Sequence, residues 1–186
     1  MHYVKASGSF GEVGYQVGRV CSHTAEQVYE NGVNYLLNET KASSFAEINE
    51  IAERYMAKTK EVSPESVEYL HGQAEGAEIT TKMITLTSFV EDISSEIGLK
   101  PPEKCSTLVV RLEGVDEHLF HNEDFTQPEV LILNAEFDGH PPLICMPYQC
   151  QLWGSGPGLN GCKIAVTNNG QHLKVVPGLS KQVVQG

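Results

Sequence analysis

The amino-acid sequence predicts an α+β protein whose helices come ahead of its strands. Apolar residues recur at helical spacing through roughly the first hundred residues, and in alternating or β-branched runs after that. A breaker cluster separates the two regimes. Gly98 ends the last helical pattern and Pro101-Pro102 blocks any restart. Helices followed by an antiparallel meander is the order expected of the α+β class. The chain divides accordingly into a helical segment, residues 1–104, and a β segment, residues 105–186.

The first helix begins near Ser9, and Val13, Val17, Val20, Val28 and Leu36 mark one continuous apolar stripe along it. Gly8, Gly11, Gly14 and Gly18 crowd its start. Each glycine in a helix costs about 1 kcal/mol relative to alanine, so this density suggests close packing against another element. A second helix opens at Ser44, with Glu47 placed for a capping box, and buries Phe45, Ile48, Ile51, Ala52, Tyr55 and Met56. Ser63-Pro64 starts a third, a cap followed by proline at the first helical position, with Val67, Leu70, Ala74 and Ala77 inward. The fourth runs over residues 80–97 and carries Met83, Ile84, Leu86, Phe89, Val90 and Ile93. Five strands follow, over residues 105–112, 118–125, 129–137, 143–152 and 162–166. Turns are expected at residues 114–117, at Asp138-Gly139 and across the glycines from Gly154 to Gly161.

Composition narrows the function. A chain of 186 residues is long enough for one domain with a real core. The net charge of -11 repels phosphate backbones, which argues against nucleic-acid binding. No apolar run approaches the ~18 residues of a membrane span. The N-terminus lacks the apolar stretch of a signal peptide, so the expected location is cytoplasmic. The odd cysteine count, five, does not suit a disulfide framework. No Cys-x-x-Cys pair stands near His118, His121 or His140, so neither a metal nor a cofactor is expected.

Cys105 stands at the head of a strand, directly after a proline-bearing loop, where a nucleophile is readily exposed. Most such cysteines are structural, and the surrounding pattern is what singles this one out. Gly8, Glu12, Gly14 and Gly18 fit a G-x-x-x-E-x-G-x-x-x-G helix. Gly72-Gln-Ala-Glu-Gly-Ala follows as G-x-A-x-G-A, then Cys105-Ser106-Thr107, then His121 to Asp124, with Asp124 nineteen residues after Cys105. Gly158, Asn160, Gly161 and Asn168 or Asn169 complete the series. Five pieces in this order resemble the isopenicillin N acyltransferase family, which includes β-alanyl-dopamine hydrolases, and the likeness runs from about residue 3 to about residue 173.

The resemblance implies a four-layer αββα N-terminal-nucleophile fold, begun by a short strand and activated by cleavage between Lys104 and Cys105. The freed α-amine of Cys105 would act as general base for its own thiol. Asp124 would hold that amine. Asn168 or Asn169 would donate to the substrate or to the oxyanion. The implied substrate is a small N-acyl or β-alanyl amide, or an acyl thioester. Family members usually carry glycine where this chain has Lys104. They also continue further, so the fold is expected to be incomplete at its C-terminus, with a homo-oligomer or a completing chain as partner. Alternatives stay open on the residues themselves. Asn168-Asn169-Gly170 also reads as a hairpin turn. His121 is either a pocket residue or an ordinary strand-surface residue. The whole chain is alternatively a truncated, non-catalytic remnant serving as a binding or interaction module.

Overall fold

The computed structural model describes residues 2–39, 44–97, 105–114, 117–122 and 130–167. Its first element is a strand, β1 (His2–Gly8), and Ser9 turns the chain from it into α1 (Phe10–Cys21). The Ser9 hydroxyl accepts from the Glu12 amide, and the Glu12 carboxylate accepts from both the Ser9 amide and the Ser9 hydroxyl. This is a complete capping box. The two bonds from Ser9 hold the Glu12 carboxyl below its ordinary pKa. Gly8 has φ +123°, and a β-carbon there would lie 2.6 Å from the Glu12 carboxylate, so the box and the glycine require each other.

Five helices follow: α2 (Ala25–Glu39), α3 (Phe45–Val62), α4 (Pro64–Ala77), α5 (Thr81–Ser88) and α6 (Val90–Glu96). Ser44 caps α3 by accepting from the Glu47 amide, and Pro64 occupies the first turn of α4, both as the sequence indicates. Two expected helices are each divided. The stripe from Val13 to Leu36 breaks at residues 22–24, where Ser22 and Thr24 hydroxyls bond back to the Arg19 and Cys21 carbonyls. Serine and threonine compete for backbone partners in this way and favour helix ends. The helix expected over 80–97 breaks at Phe89, whose φ of -114° lies outside the helical range. Phe89 is buried and stacks on Tyr55, so a packing contact sits at the break.

The helices α1 and α4 meet backbone to backbone. A β-carbon built on Gly14 would lie 2.1 Å from the Tyr69 carbonyl, one on Gly18 2.2 Å from that of Gln73, one on Gly72 2.0 Å from that of Gly11, and one on Gly76 2.1 Å from that of Tyr15. The contacts step four residues along both helices together, so the two run in the same direction. Each pair of glycines, four apart, lies on one helix face. Two backbones touch with nothing between them. The expected close packing of the glycine-rich helix therefore has a named partner. Arg19 and Glu78 close the C-terminal ends of the pair with a 3.0 Å ion pair.

The strands are β2 (Ser106–Val110), β3 (His118–Asn122), β4 (Leu131–Phe137), β5 (Leu143–Cys145), β6 (Gly158–Asn160) and β7 (Ala165–Val166). They do not form one antiparallel meander. The main sheet has the order β1-β4-β5-β6-β7, with β1 parallel to β4 and the other pairs antiparallel. The helical and β segments thus share a sheet through β1 and β4. The strands β2 and β3 form a separate antiparallel hairpin. The strand expected over 143–152 stops at Cys145, and Tyr148 keeps a single bridge to Val130. Gly158 to Asn160, expected in a turn, forms β6, because Gly158 lets its backbone lie against Cys145 and Ile144. The last strand shrinks to two residues because Asn160 claims the start of it. Its side-chain oxygen accepts from the Cys162 and Ile164 amides, both at 3.0 Å, and holds a turn there.

One face of the sheet is packed under the helices through Val4, Ala6, Leu131, Leu133, Ala135 and Phe137. Phe137 stacks on Phe10 and meets Trp153, which also meets Tyr69, so β4, α1, α4 and the loop after β5 share one aromatic cluster. No helix among the described residues is long and apolar enough to cross a membrane.

Two stability measurements check this architecture. Gly14→Ala or Gly72→Ala forces a methyl against a fixed carbonyl and should destabilise by about 3 kcal/mol, while Gly154→Ala, which meets open space, should have almost no effect. Equal melting temperatures for the three variants would disprove the tight contact. The Tyr69 hydroxyl is fully buried and has no hydrogen-bond partner among the described residues. Tyr69→Phe should therefore leave stability unchanged or raise it by about 1 kcal/mol. A clear loss would show that the hydroxyl has a partner.

Candidate active site

The site is built on the hairpin. Alternation along β2 puts Thr107 and Val109 on one face, with Ser106, Leu108 and Val110 on the other. The register pairs Thr107 with His121 and Val109 with Leu119. Cys105 directly precedes β2, two residues before Thr107. Cys105 is half-buried, as is His121.

That hairpin face looks across a groove at the helix-free face of the main sheet. The groove has a volume of about 860 Å³. Val109, Leu119 and His121 line it on the hairpin side, and Ile132, Ile144, Met146 and Leu159 on the sheet side. Lys163 and Glu117 add charge at its margin. The layers therefore run helices, main sheet, hairpin. One polar junction ties hairpin to sheet. Thr107 Oγ1 lies 3.0 Å from His121 Nδ1 and 3.0 Å from Thr167 Oγ1, just after β7. A hydroxyl donates one proton, so if Thr107 donates to Nδ1, it accepts from Thr167 and the neutral imidazole carries its proton on Nε2.

Of the residues singled out from the sequence, Cys105 directly precedes β2 and His121 lies in β3 opposite Thr107. Lys104, Asp124, Asn168 and Asn169 lie outside the described residues. Thr167 was not singled out from the sequence, and no local signal marks it: a threonine after a two-residue strand gains its role only when the hairpin folds over it. Thr107 was legible only as the third position of the Cys-Ser-Thr motif. Among the described residues, no group of three or more His, Cys, Asp or Glu side chains is placed to hold a metal ion.

The remaining thiols differ sharply from Cys105 in setting. Burial pushes the Cys145 and Cys150 thiols up to about 12. Cys21 is fully buried at the end of α1, and Cys162 is exposed in the β6–β7 turn. Since the thiolate is the nucleophile, the buried thiols are inert. No protein-family model matches this chain, and no curated protein matches it.

Limited labelling of the native protein with a thiol reagent should therefore modify Cys105 and Cys162, and should reach Cys145 and Cys150 only after unfolding. Native-state labelling of Cys145 or Cys150 at the rate of Cys162 would contradict the burial just described.

Proposed function

We propose that this chain carries the nucleophile of a cysteine N-terminal-nucleophile amidohydrolase or acyltransferase, with Cys105 as nucleophile. The observation that supports this most is a half-buried Cys105 directly before β2, in a hairpin whose Val109 and His121 wall a groove against the main sheet. A thiol at a strand start, in the hairpin that walls a groove large enough for a small amide, suits such chemistry. The layering of helices, sheet and hairpin suits an αββα sandwich in which further elements cover the hairpin's outer face, where Leu108 and Phe120 are exposed.

In the proposed activation, Cys105 Sγ attacks the Lys104 carbonyl carbon. The C–N bond breaks, the acyl group passes to sulfur, and the Cys105 nitrogen becomes a free amine. Water then hydrolyses the thioester, releasing the Lys104 carboxylate and restoring the thiol. In turnover, the α-amine takes the thiol proton, since its unperturbed pKa of about 7.7–8.0 lies near neutrality. The thiolate attacks the carbonyl of a small N-acyl or β-alanyl amide, or of an acyl thioester. The leaving amine or thiol collects the proton, and water or an acceptor amine removes the acyl group from sulfur. Asp124 is proposed to hold the α-ammonium, Asn168 or Asn169 to donate to the oxyanion, and His121 to face the substrate from the groove wall. The proposed setting is cytoplasmic.

A second reading has its own observation. Gly14, Gly18, Gly72 and Gly76 make helix contacts, Glu12 caps α1, and Asn160 holds the β6–β7 turn. These motif positions serve architecture, and a non-catalytic binding or interaction module would keep them equally.

Denaturing mass spectrometry separates the two. The enzyme reading expects fragments 1–104 and 105–186 in the wild type and only intact chain in Cys105→Ala. It also expects Asp124→Asn to slow reaction of Cys105 with a limiting thiol reagent. Wild-type protein that stays intact at neutral pH, with Cys105 no more reactive than Cys162, would leave the module reading.

A further inference from the structure

The strand β1 closes one end of the main sheet, and its hydrogen-bonding parity can be read from two contacts. The Gly8 carbonyl accepts from the Asp138 amide at 3.0 Å, so Gly8 directs its backbone toward β4. In a parallel ladder the N–H and C=O of one residue point to the same side, and alternate residues point opposite ways. His2, Val4 and Ala6 therefore bond β4, while Tyr3, Lys5 and Ser7 present both backbone groups to the open edge. Ser7 confirms the parity independently. Its amide donates to Gln16 Oε1 at 3.4 Å, and its carbonyl accepts from Gln16 Nε2 at 2.8 Å. The Gln16 carboxamide, reaching from α1, thus occupies the place that a neighbouring strand's peptide group would take. Beyond this clasp, β1 has no neighbour on that side among the described strands.

Native sheets blunt such edges with bulges, prolines, charged side chains or covering elements. Among the described residues the edge of β1 carries only one of these at Tyr3 and Lys5, the Lys5 charge: its seven-residue register with β4 is unbroken, and Tyr3 is 62% exposed. The open groups are the Tyr3 and Lys5 N–H and C=O, placed symmetrically about Val4. A two-fold axis through Val4 matches them to themselves. Tyr3 of one copy pairs with Lys5 of the other and the reverse, which closes four backbone hydrogen bonds in an antiparallel ladder. The same pairing sets the Lys5 side chain beside the second copy's Tyr3 ring on one sheet face, an aromatic–cation neighbour at cross-strand distance. The Gln16 clasps flank the pairing on both sides, and they limit it to this short, self-complementary stretch.

We infer that the β1 edge is an interaction surface for a second copy of this chain, which joins through antiparallel β1–β1 pairing into one continuous sheet. The inference stands on strand geometry and is independent of any chemistry at Cys105. Each copy carries a net charge of -11, so repulsion opposes the pairing and added salt should strengthen it.

Sedimentation velocity at tens of micromolar, at low and high salt, reads the association. The expected result is a dimer favoured by salt. Lys5→Pro removes an outward N–H that β4 does not use, and an edge position tolerates proline. It should weaken the dimer roughly tenfold or more with unchanged circular dichroism. Wild type that remains a monomer throughout, as it would if the edge takes only another protein's strand, overturns the inference. So does a Lys5→Pro variant that folds and dimerises as before. Should that variant misfold, amide exchange on the wild type decides. The Tyr3 and Lys5 amides should exchange more slowly as concentration rises, and concentration-independent exchange would refute the pairing.

Discussion

The rest of this fold depends on the backbone contact between α1 and α4. Four glycines, two on each helix, let carbonyls of one helix reach the α-carbons of the other, with no side chain between. Glycine is a poor helix former, at about 1 kcal/mol per site relative to alanine, and this segment carries the burden because only glycine permits the approach. The contact fixes the axial register of two parallel helices. It thereby places Tyr69, which follows α4's register, against Phe137 of β4 and Trp153 of the following loop. The order of β1 beneath α1 follows as well, since the Ser9–Glu12 capping box sets the exit angle between strand and helix.

With one face of the sheet sealed by the helices, the other face is left to form a site. Ile132, Ile144 and Leu159 line the groove on that face, with Val109 and Leu119 of the hairpin β2–β3 across from them. The groove between the two layers is largely apolar, with Thr107, His121 and Thr167 forming its polar junction. The proposed acyl transfer would use this apolar wall for the acyl chain. Cys145 and Cys150 are withheld from chemistry by position, buried in the helix-facing core, where the charged thiolate is disfavoured.

Much of the fold is legible in the sequence because its signals are local. Ser9, Ser44 and Ser63-Pro64 announce helix starts through short-range hydrogen bonds and a fixed proline φ, and the structure has helices starting at each. The divided helices were not legible. Val13 to Leu36 keeps helical period across the break at residues 22–24, and periodicity carries no record of three residues of turn. Phe89 reads as one more apolar residue in a stripe, although in the fold a buried aromatic contact sits where the helix is interrupted. For the site, the Cys-Ser-Thr motif marks Cys105 and Thr107, but the motif is silent on Thr167, which comes from a segment far along the chain, just after β7.

By itself, the sequence determined the α+β class, the helix caps and the closeness of the glycine-rich helix to some partner. These rest on interactions within a few residues of chain, where spacing and residue type suffice. Only the tertiary structure decided that β1 runs parallel to β4, that β2 and β3 leave the meander to form their own layer, and that α4 is the glycine-rich helix's partner. Each of those joins segments far apart in sequence. Strand alternation looks the same for a parallel or antiparallel neighbour, and a glycine pair does not name the helix it will meet. Pairing of that kind is chosen by the summed burial and hydrogen bonding of the whole chain, which no window of sequence contains.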